Sequence, residues 1–248
     1  MYAEKVILVT GATGAIGFEI AAQAAASGSI VAVHGASVGS VAGATERLLA
    51  RVPNARVIAA PADFRQRGAI EAMVERVVAE GTRLDAVIHC AITGAGNVTG
   101  SLGKTTPDNF GDHAALVLGS FQSLCFAALP HLSQHGGTIV GFASDAGRFA
   151  APRQSIIGAA FGGIMAFVRN LSLEVARQGV RVHCLSPSFV ADTPVYALHA
   201  ARADAAQARA GLGLPTPADI APMALFLCSP GASRITGQII SINGGLNA

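Results

Sequence analysis

Short runs of β-branched apolar residues alternate along the chain with longer alanine-rich stretches. The runs at 5–10 (KVILVT), 29–34 (SIVAVH), 55–60 (ARVIAA), 84–89 (LDAVIH), 137–143 (GTIVGFA), 180–185 (VRVHCL) and 237–242 (GQIISI) predict strands. Between them, helical patterning falls near 15–27, 39–52, 66–80, 107–133, 155–178 and 217–229. Several of the strands are apolar on both faces, as a parallel sheet covered by helices on each side requires. The alternation therefore implies an α/β chain: a doubly wound parallel sheet of about seven strands with helices on both faces. No linker, low-complexity tract or solenoid period interrupts it, so residues 1–248 read as one domain.

Composition narrows the function classes. With 51% hydrophobic and 13% charged residues the chain collapses rather than staying solvated. Its 17 basic and 15 acidic residues nearly cancel and no basic cluster stands out, so a nucleic-acid partner is not expected. Cys90, Cys125, Cys184 and Cys228 show no metal spacing and lie in or beside apolar runs. They read as reduced packing residues of a cytoplasmic protein, and residues 5–10 look like a strand rather than a signal peptide. The apolar run 114–130 is short, contains Ser120, Gln122 and Ser123, and ends in proline, which suits a buried or interface helix better than a membrane span. Two scarcities stand out. The only tyrosines are Tyr2 and Tyr196, and the only lysines are Lys5 and Lys104.

Directly after the first strand, Thr10-Gly11-Ala12-Thr13-Gly14-Ala15-Ile16-Gly17 opens a helix. Glycines there let the backbone approach a pyrophosphate, and the helix N-terminus offers free N–H groups and the positive end of its dipole. That is the phosphate turn of a Rossmann-type dinucleotide fold. It resembles the T-G-x-x-x-G-x-G turn of the short-chain dehydrogenase/reductase family, and the resemblance extends over essentially the whole chain. Residues 85–91 (DAVIHCA) are similar to the family's fourth-strand segment ending in N-N-A-G. Residues 137–144 resemble its fifth strand with the catalytic serine, and Asp219-Ile220-Ala221, Ile235-Thr236-Gly237-Gln238 and Asn243-Gly244-Gly245 its C-terminal segment.

The resemblance implies a nicotinamide cofactor held by Gly11, Thr13, Gly14, Ile16 and Gly17 at the turn. It adds Asp63 and Phe64 after strand three, Cys90 and Ala91 after strand four, and Pro187, Ser188, Val190 and Thr193 after strand six. At the end of strand two, His34-Gly35-Ala36-Ser37 carries neither the acidic residue that suits NAD nor the arginine that suits NADP. Ser37 can donate to a 2′-phosphate and no carboxylate repels one, which favours NADP over NAD; the alternative is that Ser37 is only a turn residue.

The family reduces carbonyls with a tyrosine as proton donor, its pKa lowered by a lysine four residues on, a serine that orients the carbonyl and an asparagine in the preceding long helix. Ser144 fits the serine. Thirteen residues onward stands Ile157 and four further Phe161, while the asparagine position falls on Val117. No Tyr-x-x-x-Lys occurs anywhere. Tyr196, in the segment that forms a lid in the family, is a candidate substitute donor against the reading of an ordinary lid tyrosine. His89, ending strand four, is a candidate general base or else a half-buried strand-end residue. His113, one helical turn before Val117, either points toward the site or, the favoured reading, is a helix-surface histidine. Asp145, Arg148 and Arg153 read as solvated loop charges or anion ligands.

Three readings stay open. The chain is a nucleotide-binding member whose ordinary carbonyl chemistry is absent or weak. Alternatively, it performs different chemistry in the same cleft with Ser144 and His89, such as C=C reduction, isomerisation or elimination on a small hydrophobic or aromatic molecule. The third reading is a non-catalytic oligomer subunit. The apolar helices at 107–133 and 155–178 resemble the family's four-helix interface and imply a homotetramer, with no membrane partner.

Overall fold

Val6, Ile7, Leu8 and Val9 are all fully buried, and the pleat sends them alternately to two different helical layers. They form β1 (Val6–Thr10), an interior strand of a seven-stranded, all-parallel sheet. The computed structural model describes residues 4–92 and 98–247; Tyr2 lies outside the described residues. The other strands are β2 (Ile30–Gly35), β3 (Arg56–Pro61), β4 (Ala86–His89), β5 (Gly137–Phe142), β6 (Val180–Pro187) and β7 (Ile239–Ile242), in the order β3-β2-β1-β4-β5-β6-β7. Each lies within about two residues of its expected place.

On one face lie α3 (Ala69–Gly81), α5 (Ser120–Leu132) and α6 (Ser155–Val175), packed on Val6, Leu8, Val87 and Ile139. On the other lie α1 (Ala15–Ala26), α2 (Val38–Arg51) and α9 (Pro217–Cys228), packed on Ile7, Val9, Ile88 and Val140. Alanine dominates the buried side of α1, so α9 can approach it closely. Fully burying each large side chain, such as Phe121 or Ile139, contributes about 1.5–3 kcal/mol.

The long helix before β5 is not uniform. It begins as α4 (Asp108–Ala114), widens into a π-helical stretch over Ala115–Gly119, and continues as α5. This helix and α6 are each long and apolar enough to cross a membrane, and each packs one face into the core. Two short helices, α7 (Pro194–Leu198) and α8 (Ala200–Gln207), follow β6. Strand order reverses between β1 and β4, and a doubly wound sheet leaves a crevice beyond its strand ends at that point.

Candidate functional site

A cleft of about 500 Å³ opens there. Its walls come from the turn after β1, the ends of β4 to β6, α6, and the segment carrying α7 and α8.

At the glycine turn, space separates the three glycines. Gly11 has φ +69°, and a Cβ there would lie 2.7 Å from the Cys90–Ala91 backbone. A Cβ at Gly17 would stand 2.3 Å from the Gly11 carbonyl oxygen. Gly14 meets only an ordinary 3.5 Å contact. Ala15 stands at the middle glycine of the T-G-x-x-x-G-x-G pattern, so the turn's glycine has moved one residue earlier. Gly14 is the N-cap of α1 and supplies no side-chain cap, and the first turn holds no acidic residue. The first helical bond is donated by the Phe18 N–H to Gly14. The N–H groups of Ala15, Ile16 and Gly17 thus have no acceptor among the described residues, on elements that line the cleft. An anion fits this arrangement.

His34 braces the turn from below. The Gly11 N–H donates to its Nδ1 at 3.0 Å, which leaves the ring proton on Nε2 to donate to the Ala62 carbonyl at 3.0 Å. Its backbone carbonyl also accepts from the Ala12 N–H. Burial pushes its pKa down to about 4, so the ring is neutral and joins β2, the turn and the end of β3. Reading the sequence did not reveal this role, because both bonds reach residues more than twenty positions away.

Of the expected nucleotide residues, Gly11, Gly14, Ile16, Gly17, Cys90, Pro187, Ser188, Val190 and Thr193 line the cleft together with Ser144. Burial pushes the Cys90 thiol pKa above its usual range. The Ala91 backbone abuts Gly11, while Thr13 offers its carbonyl to the Arg47 guanidinium outside the cleft wall. Ser37 is exposed, and its hydroxyl accepts from the Ser40 N–H as the cap of α2. Asp63 is paired through two oxygens with Arg65, which holds its carboxyl below the usual carboxylate range. Phe64 stacks on His34 with ring centroids 4.3 Å apart. Thr193 caps α7, accepting from the Tyr196 N–H and donating to the Val190 carbonyl.

Ser144 and His89 are not brought together in the cleft. Ser144 lines it, its hydroxyl accepting from the Ala146 N–H at 3.3 Å. His89 is fully buried beneath it, with Nδ1 2.9 Å from the Thr10 hydroxyl and its ring between Phe64 and Phe121. Burial, with His34 nearby, pushes its pKa down to about 3.

Three other expectations are revised. His113 is buried rather than on the helix surface. Tyr196 donates its hydroxyl proton to Asp204 at 2.8 Å, and that bond raises its pKa, which makes it a poorer acid. Asp145 is 2% exposed rather than solvated. Its carboxylate accepts from the Ser186 and Ser241 hydroxyls and from the Asn243 and Asn247 amides. Arg148 is turned toward β7, donating to the Ile239 carbonyl, and Arg153 is exposed. The cleft wall also includes two residues that sequence reading passed over, His199 and Arg202.

Residues 11–247 match the family model described as Enoyl-(Acyl carrier protein) reductase. The chain is 30% identical over 246 residues to the 3-oxoacyl-[acyl-carrier-protein] reductase FabG of Chlamydia trachomatis, covering 98% of this chain and 97% of that protein. It is 28% identical over 245 residues to the meso-2,3-butanediol dehydrogenase of Serratia marcescens, covering 98% and 95%. Among solved structures, a short-chain type dehydrogenase/reductase from Mycobacterium ulcerans superposes with a TM-score of 0.92 at 25% identity, over 99% of this chain and 90% of that one.

Proposed function

This chain belongs to the short-chain dehydrogenase/reductase family, and we propose that it keeps a dinucleotide cleft while its ordinary carbonyl reduction is absent or weak. The observation that carries the reading is the apolar wall of Ile157 and Phe161 in the same cleft as Ser144. Counted from Ser144, these two fall at the family's tyrosine and lysine positions. Ketone reduction needs a proton at oxygen as hydride reaches carbon, and neither an alkyl nor a phenyl side chain exchanges one. No tyrosine or lysine lines the cleft among the described residues. Val117, at the asparagine position, is fully buried.

The cofactor is NADP or NAD, with NADP favoured. When bound, the dinucleotide supplies the hydride. The free N–H groups at the start of α1 would hold its pyrophosphate, and Gly11 and Gly17 let the turn fold back tightly on the Cys90–Ala91 backbone and on α1. Ser188 and Thr193 line the cleft and, on the family's pattern, would meet the nicotinamide end. The end of β2 presents no carboxylate to repel a 2′-phosphate, and Asp63 is neutralised by Arg65. With phenylalanine at the lysine position a ribose contact is missing, so affinity is reduced. The protein is cytoplasmic and a homotetramer, without a membrane or nucleic-acid partner.

A second reading is favoured by the hydroxyl of Ser144 within apolar walls: reduction of an activated C=C bond, isomerisation or elimination on a small hydrophobic or aromatic molecule. The description of the matched family model, an enoyl reductase, is of that first type. His89, shut beneath the cleft, does not serve it; Ser144 does.

Calorimetric titration with NADPH and NADH, followed by steady-state assays with simple ketones, tests these readings. Binding with negligible ketone turnover is expected. Installing I157Y with F161K should raise ketone turnover about 10²-fold or more. Wild-type turnover that is already high would overturn the proposal. Failure to bind either nucleotide would leave the non-catalytic subunit.

A further inference from the structure

The cleft contains one uncommitted fixed charge. Among the described residues that line it, Asp145 and Arg202 carry the full charges. Asp145 is satisfied by four side-chain donors. Arg202, half-buried near the start of α8, has no carboxylate partner and no side-chain hydrogen bond among the described residues. His199, three residues earlier and also on the cleft wall, makes no ring hydrogen bond there either. The neighbouring wall is apolar, with Phe149, Ile157, Phe161 and Phe189.

A guanidinium drawn partly out of water and given no counter-charge bears a desolvation cost that an anionic ligand would offset. Its planar fork also matches a carboxylate through two parallel N–H bonds. The pyrophosphate of the dinucleotide already has its own donors at the start of α1, so Arg202 is left for a second anion. We propose that Arg202, with His199 beside it, forms an anion-recognising subsite, and that the substrate is an apolar or aromatic molecule carrying one carboxylate. This rests on the reading that the cleft takes a small apolar substrate beside the nucleotide, and it adds the charge that substrate bears.

The test compares matched probes by calorimetry on the full chain, with and without NADPH: cinnamate and 1-naphthoate against cinnamyl alcohol and 1-naphthylmethanol. The acids should bind about tenfold more tightly than the alcohols. R202M should abolish that preference, R202K should keep part of it, and NADPH affinity should stay within about twofold in both. Acids and alcohols that bind alike, or acids that do not bind at all, overturn the subsite. So does an R202M variant that loses NADPH affinity yet keeps the acid preference, because Arg202 would then serve the pyrophosphate. A wild-type chain that binds neither NADPH nor NADH overturns the function proposed above, whereas the acid–alcohol contrast decides the subsite separately.

Discussion

Gly14 and Gly17 sit three residues apart at the mouth of the same turn, yet only one of them is compelled by space. At Gly14 the backbone has φ −87° and ψ 165°, which any residue adopts, and a Cβ finds 3.5 Å of clearance. At Gly17 it would collide with the Gly11 carbonyl. G14A should therefore change stability by no more than about 1 kcal/mol, whereas G17A should cost more than about 2 kcal/mol. Urea unfolding measures both, and equal costs would show that the turn is not packed as described. A glycine-rich turn was legible in the sequence, but which glycine mattered was not, since that depends on the Gly11 carbonyl coming back against α1. The same limit explains Asp145. Its position after a strand suggested a solvated loop charge, and the groups that bury it come from residues 41 to 102 positions further on. His89 was legible as a strand-end residue, but its shielding by Phe64 and Phe121 was not.

Strands were the most legible elements, because short β-branched runs bounded by turns have few alternatives. The helices α7 and α8 were missed: α7 (PVYAL) is only five residues long, and α8, polar and alanine-rich, has no apolar stripe and buries only Ala203 and Ala206. The π-helical stretch around Val117 was equally invisible, since one extra residue in a turn leaves no mark on composition. Periodicity did predict that α5 and α6 have apolar faces, and each also has an apolar side left uncovered. Phe126 and Leu173 are both 78% exposed, and a groove between these helices is lined by Phe126, Leu129, Phe167 and Leu171. Uncovered surface of this kind marks an interface. The double variant F126E/L173E should shift the assembly to smaller species in size-exclusion chromatography with light scattering. An unchanged mass would argue against this face as the contact of the proposed tetramer.

The molecule as a whole carries a store of neutral buried histidine. Burial pushes His34 and His183 down to about 4 and His89 to about 3, all below the ordinary histidine value of 6.5. Between those values the unfolded chain binds more protons than the folded one, so stability is complete above about pH 6.5 and falls as pH drops. Each of the three should cost about 2 kcal/mol by pH 5, on the order of 6 kcal/mol together, a large part of a typical domain's stability. Denaturant midpoints measured from pH 8 to pH 5 should fall steeply below 6.5, and H89F should flatten the slope. A flat profile would mean that these rings are accessible to protons in the folded state. The global topology was legible because alternating β and α units admit few arrangements, and the cleft's place followed from it. How the last strand closes the floor was not legible. Of the four donors to Asp145, only Ser186 precedes β7. A growing chain on the ribosome therefore carries the glycine turn, Ser144 and both apolar walls long before residue 247 exists. Until β7 and the residues after it emerge, Asp145 keeps only the Ser186 donor and the floor is incomplete. Asp145 thus ties a finished binding site to the last strand of the sheet, and a chain that stops short of β7 cannot compete for ligand.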